Sequence, residues 1–284
     1  MKREIRESVT LNGENVIQLT LPDERFYQVR FEKEGEPPLT SEDFYPSCTW
    51  ICSYYPKGYA LEKWLADKGI DKAEEIKREA GQRGSRVHKA CEDLAIGNEV
   101  KMDSKYPNDD GELAELTADE YGVAMTFRKF LEDEQPYFLK RENGAPAIEY
   151  TVLNHEHKFG GTVDMKCRIK SDDYKFVHII DIKTSKDIYP SHEIQVSAYL
   201  ETDKEAEKID ILQVGYRRNK NGYKLTAIEP QFDLFLHVKG IWQREQKDVV
   251  VPQRLYPLSL SWIPLKEIPT EIKKVAERKL KKLN

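Results

Sequence analysis

The chain has 284 residues, 39% of them hydrophobic and 33% charged, with a net charge of −5 and an isoelectric point of about 5.8. The length allows one large domain or one domain with extensions, and the composition is that of a globular protein with a strongly solvated surface. No apolar run reaches membrane-spanning length, and the acidic balance weighs against a protein that coats nucleic acid without selectivity.

The first residues, MKREIRESVTLNGENV, carry no hydrophobic signal region, so export is not expected. The cysteines, Cys48, Cys52, Cys91 and Cys167, read as reduced thiols of a cytosolic compartment. Residues 14–31 predict a β-hairpin, two β-rich runs around the turn residues Pro22 and Asp23, and 32–47 a polar connection. Next come an aromatic segment around Pro56-Lys57-Gly58, a helix over 60–68 and a longer one over 73–96, with Gly81 and Gly84 as a weak point. Residues 112–134 repeat the helical pattern.

A β section follows. Strands are expected at 147–153, 161–170 and 175–183. In the second, Val163, Met165, Cys167 and Ile169 alternate with Thr162, Asp164, Lys166 and Arg168. The third is apolar on both faces, as in a central strand. A helix over 190–201, a hairpin over 209–218 and 223–229 with Asn221-Gly222 at its turn, and a helix over 232–246 complete the core. The end is proline-punctuated loop and then EIKKVAERKLKKLN, a basic helix that either lies along DNA or packs on the core. The order of elements implies a mixed α/β core. The expected divisions are an N-terminal β-hairpin extension (1–44), a core with a helical lead-in (45–247) and a C-terminal loop and basic helix (248–284).

The chemistry concentrates in GGTVDMKCRIK and KFVHIIDIKTSK. Asp181 and Lys183 are two apart on a strand and share a face, while Ile180 and Ile182 point into the core. A charge pair leaving a hydrophobic strand is costly without a purpose or a partner. An exposed salt bridge is the ordinary explanation of D-x-K. Asp164 on the preceding strand, just after Gly160-Gly161, changes that balance, because the glycines let backbone or a ligand approach closely. Two acids and a lysine from neighbouring strands can hold Mg²⁺ or Mn²⁺, with the Ile182 carbonyl as a further ligand, and so cleave phosphodiesters. Lys183 would orient water and stabilise developing charge.

Other candidates carry two readings each. Glu149 in AIEYTVL is a further carboxylate or a solvent-facing strand residue. His88 in RGSRVHKACEDL is a metal ligand or a packing residue. Arg83 and Arg86 are phosphate contacts or ordinary helix surface. Gln195 and Tyr199, one turn apart, bind DNA or are polar tips of a packed helix. Trp50, Tyr54, Tyr55 and Tyr59 form a stacking wall for single strands or pack beneath the helical cap.

These elements in this order resemble the PD-(D/E)xK nuclease superfamily in its RecB-like exonuclease branch. The matching residues are His88 in GSRVHKACE, Glu149 in AIEYTV, Asp164 in GGTVD, Asp181 and Lys183 in DIKTS, and Gln195 and Tyr199 in QVSAY. PSCTWICSYYPKGYALEKWLADKG and GQRGSRVH are similar to the helical lead-in of phage and mitochondrial genome maintenance exonucleases. The likeness spans roughly residues 45–200. It implies a restriction-endonuclease-like fold, a central mixed β-sheet flanked by helices. It also implies a Mg²⁺- or Mn²⁺-dependent DNase working from DNA ends in recombination, repair or replication, in the cytoplasm of a bacterium or phage-infected host. Ser185 of DIKTS, with Gln195, Tyr199, Arg83 and Arg86, would meet the substrate. Val163 stands where the family name has Pro. No cysteine follows Cys167, so the four-cysteine iron–sulfur cluster of some RecB-like nucleases is not expected. No membrane partner is expected. Some relatives form rings around DNA, so a homo-oligomer is compatible. A structure-specific endonuclease or resolvase, or a catalytically inactive DNA-binding module, are the alternatives.

Overall fold

The structure is a computed structural model that describes residues 4–21, 24–108, 111–246, 252, 255, 256, 259 and 261. The expected turn at Pro22-Asp23 and the basic C-terminal helix lie outside the described residues.

The N-terminal part is more than a hairpin. β1 (Glu4–Val9), β2 (Asn15–Thr20), β3 (Arg25–Gln28) and β4 (Phe44–Pro46) form an antiparallel sheet in that order. Isolated bridges from Thr10 to Thr151 and from Ser47 to Gly160 tie it to the strands that follow. Residues 1–252 make one compact unit, so the boundary expected at 44/45 runs through a sheet.

The helical lead-in is α1 (Cys48–Cys52), α2 (Tyr59–Lys68) and α3 (Ile70–Ala95). The Ser47 hydroxyl caps α1 by accepting from the Trp50 N–H at 3.1 Å. α3 shows no break at Gly81 or Gly84. A helical glycine costs only about 1 kcal/mol against alanine, and Ala73, Val87, Ala90 and Cys91 bury one face of the whole helix. A small hairpin, β5 (Lys105–Pro107) and β6 (Leu113–Glu115), precedes α4 (Ala118–Glu134). The helix expected from 112 starts later because Thr117 and Glu120 form a reciprocal capping box.

The main sheet contains β7 (Tyr137–Phe138), β8 (Ile148–Asn154), β9 (Phe159–Arg168), β10 (His178–Lys183), β11 (Lys208–Val214) and β12 (Tyr223–Ala227). Its order is β12-β11-β10-β9-β7, with β8 also paired to β9. Only β10 and β11 are parallel, and α5 (Pro190–Thr202) is their crossover. α6 (Phe232–Gln246) closes the described core. The fold is therefore mixed α/β, a mixed sheet with helices on both faces. One face packs Tyr150, Val163, Ile179 and Ile211 with α1, α5 and α6. The other packs Met165, Ile180 and Leu212 with Val87 and Cys91 of α3 and Phe127 and Phe130 of α4. Among the described residues no helix is long and apolar enough to cross a membrane.

Gly160 and Gly161 admit aromatic rings of the protein, not a ligand. A Cβ on Gly160 would stand 2.6 Å from the Tyr27 ring, and one on Gly161 would collide with the Tyr199 ring. We expect Gly161→Ala to destabilise the protein by about 1–3 kcal/mol, the usual cost of overpacking. Urea denaturation checks this, and an unchanged midpoint would contradict it.

His178 lies buried between two acids, its Nδ1 2.6 Å from Asp210 Oδ2 and its Nε2 2.8 Å from Asp172 Oδ2. Burial alone would lower its pKa, but the two carboxylates outweigh burial and raise it. A raised histidine stabilises the fold fully below its unfolded value of about 6.5, and that contribution is lost as pH rises through the folded value. The stability advantage of wild type over His178→Gln should be largest in mild acid and shrink on the alkaline side. Denaturation curves across that range test the sign.

Candidate active site

The site forms where the main sheet stops being regular. β8 and β9 pair through Ile148↔Met165 and Tyr150↔Val163, but the rung between them, Glu149 against Asp164, is missing. Ile148 and Met165 pack on the α3–α4 face, whereas Tyr150 and Val163 pack on the α5 face. Regular strands keep positions i and i+2 on one face, so both strands gain a residue at the same point. Glu149 has a positive φ of 47°, a conformation that costs a residue with a Cβ about 1–3 kcal/mol and is concentrated at functional sites. The alternation expected through Val163 and Met165 fails for this reason, and Asp164 is turned toward α3.

There it meets His88. The His88 Nδ1 lies 3.6 Å from Asp164 Oδ2. His88, Glu149 and Asp164 each offer a ligand atom within 4.8 Å of the others. They line one cavity with Cys91, Glu92, Ile148, Met165 and Ile182. The Ile182 N–H donates to Asp164 Oδ2 at 2.5 Å. The β9–β10 ladder ends at Met165↔Ile180, one step short of the Asp164–Asp181 position, and Asp164 takes the next N–H of β10 with its side chain. Ile182 therefore contributes its N–H where its carbonyl had been expected to act.

Asp181 is outside that trio of ligands. It is 2% exposed, with Oδ2 2.7 Å from Lys183 Nζ. The contact lacks hydrogen-bond alignment, so this buried oxygen has no hydrogen-bond partner in the protein. The Lys183 Nζ also reaches Gln195 Oε1 at 3.4 Å, and Gln195 Nε2 donates to the Tyr199 hydroxyl at 2.8 Å. The site thus straddles the sheet, with His88 entering from α3 on one side and the Lys183–Gln195–Tyr199 chain from α5 on the other.

The electrostatics follow from burial and crowding. Burial, then the Asp164 charge, pushes the Glu149 carboxyl up to about 7. Burial, then the attraction of Lys183 opposed by the Asp164 charge, leaves Asp181 raised. Asp164 is the exception. Burial would raise it, but His88, Lys183 and the Ile182 N–H together hold it below the ordinary carboxylate range. Burial would lower His88 and Lys183, yet the facing acids keep both raised. Negative charge is therefore concentrated on buried oxygens that are incompletely matched, the condition a hard divalent cation relieves.

The other expected residues behave differently. Arg86 is committed to buried Glu120 and to Asn108, so it is part of the α3–α4 contact and not free for phosphate. Arg83 pairs with Asp119 at 2.7 Å and stays partly exposed. The Ser185 hydroxyl donates to the Asp187 carbonyl at 2.9 Å. Tyr199 is 1% exposed and cannot stack on DNA from that position. Trp50 packs against Phe26 and Trp242, whereas Tyr59 is exposed.

Three residues were missed. Glu92 lines the metal-side cavity one turn beyond His88, a spacing visible in HKACE. Gln213 is buried beside Lys183 in the register, and its Nε2 donates to the Ser185 and Lys186 carbonyls at 3.1 and 3.0 Å. That clamps the loop after β10, and a polar residue within the buried run ILQV was its signal. His192, in the first turn of α5, is pushed down to about 3 by burial and then by Lys183. It is a neutral neighbour of the site.

Comparison with protein-family models and with curated proteins found no match to this chain.

Proposed function

We propose that the chain is a divalent-metal-dependent DNA exonuclease of the PD-(D/E)xK type, with a restriction-endonuclease-like core. The observation that carries this reading is the convergence of His88, Glu149 and Asp164 within 4.8 Å beside the buried Asp181–Lys183 pair. Carboxylates and one imidazole are an oxygen-rich donor set suited to Mg²⁺ or Mn²⁺, and the Asp181 oxygen without a donor fits such an ion. Asp164, Glu149 and His88 would hold it, with Asp181 completing the negative charge from the adjacent strand. The bound ion supplies Lewis acidity toward a phosphate oxygen and eases deprotonation of water.

The protein's own groups do the rest. Asp164 is anchored by the Ile182 N–H, so its carboxylate cannot swing away. Lys183 stays protonated beside Asp181 and Asp164 and is oriented by Gln195, in turn held by Tyr199. Its ammonium is placed to steer the attacking water and to offset charge as the phosphate becomes pentacoordinate. Gln195 and Tyr199 serve this chain of positioning contacts.

Digestion of end-labelled single- and double-stranded DNA in Mg²⁺ or Mn²⁺ tests the proposal. Loss of label that begins at the ends is expected, with closed circular DNA resisting. Cutting of the circle would make the enzyme an endonuclease, and no cleavage at any metal concentration would leave a binding module. Lys183→Ala should lower turnover by about 10²–10³-fold, the range for removing one stabilising donor, with metal affinity nearly kept. Calorimetry showing lost affinity alongside normal turnover would contradict that role.

A further inference from the structure

A second cavity, of about 560 Å³, lies between β4, the start of β9 and α6. That volume is in the range of small-molecule sites. Its apolar lining is aromatic: Phe26, Phe44 and Trp242. The Trp242 indole is held edge-on to Trp50, with ring centroids 5.1 Å apart, and its Nε1–H is buried without an acceptor. Its polar lining includes His157, Lys158 and Lys239. Lys158 is neutralised by Glu42. Lys239 has no carboxylate partner among the described residues. Burial, and then the charge of Lys158, pull its pKa down. The cavity therefore combines aromatic walls with a half-buried ammonium that lacks a counter-charge.

We propose that this cavity binds a nucleotide, its base against the Trp242–Phe44 wall and its phosphate at Lys239. A planar base satisfies the aromatic surface, and a phosphate supplies the anion that Lys239 lacks. A purely apolar ligand would leave that ammonium uncompensated in a partly dehydrated place. The same chemistry is offered by a free nucleoside monophosphate and by one unit of a DNA strand. The inference goes beyond the cleavage reading and stands even if the chain cuts no phosphodiester.

The test uses the full chain in EDTA, so that no divalent ion occupies the other site. Tryptophan fluorescence and calorimetry are followed with thymidine and deoxyadenosine monophosphates and with a short oligothymidylate. Quenching by a monophosphate identifies a free-nucleotide site, and quenching by the oligonucleotide alone identifies a strand subsite. In either case Lys239→Glu, on a half-exposed helix position, should weaken binding by about tenfold or more, the scale of one charged hydrogen bond. Asp181→Ala should leave it unchanged. Absence of binding by both probes, or equal affinity in Lys239→Glu, overturns the proposal. Trp242→Phe, which keeps an aromatic wall, should retain binding with the quenching signal reduced, and calorimetry would follow it. Lost binding in a folded Trp242→Ala with full binding in Trp242→Phe is the expected pattern, and full binding in Trp242→Ala would overturn the stacking role.

Discussion

Asp164→Asn is expected to cut DNA cleavage by on the order of 10³-fold or more while leaving the fold at least as stable as wild type. Asp164 is the residue through which the site is joined. It faces His88, accepts from the Ile182 N–H, and lies within ligand distance of Glu149. Asparagine keeps an oxygen for Ile182 but removes the charge that would attract the ion. It also removes the charge that presses the Glu149 and Asp181 carboxyls upward. Relief of that crowding offsets the lost attraction to His88 and Lys183. The two halves are measured separately, turnover on end-labelled DNA and the denaturation midpoint. Wild-type turnover in this variant would sink the active-site assignment. A large loss of stability would show that Asp164 is a structural residue instead.

Asp203→Ala should have the largest effect on stability of any single change considered, about 3–5 kcal/mol. Lys166 is fully buried, and its Nζ is held by Asp203 at 2.8 Å and by Glu205 at 2.7 Å. Asp203 is itself 1% exposed in its side chain, while Glu205 is 65% exposed. The Tyr150 hydroxyl donates to the other Asp203 oxygen at 2.9 Å. Truncation leaves a buried ammonium with one solvent-screened partner and a buried hydroxyl with none, and both costs are paid in the folded state. Since small domains are stable by only about 5–15 kcal/mol, the loss is a large fraction of the whole. Urea denaturation of the variant measures it, and a change below about 1 kcal/mol, typical of surface pairs, would refute this account. Lys166→Met with Asp203→Asn should recover much of the loss, because a matched apolar or neutral replacement strands no charge.

Much of this protein was legible in local pattern. The strands of the main sheet and helices α5 and α6 follow from period-two and helical spacing, and their ends came within a few residues. The α3 break did not occur, because a buried face shared along the helix outweighs two glycine penalties. The hairpin turn at Asn221-Gly222 was read too tightly. β11 and β12 pair at Val214↔Tyr223, and residues 215–222 form a longer loop in which the Asn219 carboxamide accepts the Gly222 N–H. The extra strands β1 and β4 escaped because edge strands draw their stability from neighbours more than from their own composition.

The sequence by itself determined which residues share a face and which chemistry they could carry. Asp181 and Lys183 leave one side of a strand, Gln195 and Tyr199 one side of a helix, and the acids and histidine form a plausible donor set. Spacing acts through the geometry of single elements, so those statements needed no partner. Only the tertiary structure decided that β8 and β9 both lose regularity at Glu149 and Asp164, that His88 arrives from α3 to meet them, and that Arg86 and Tyr199 are taken up by packing. Those outcomes depend on strand register and helix docking between residues far apart in the chain, and no local periodicity encodes them.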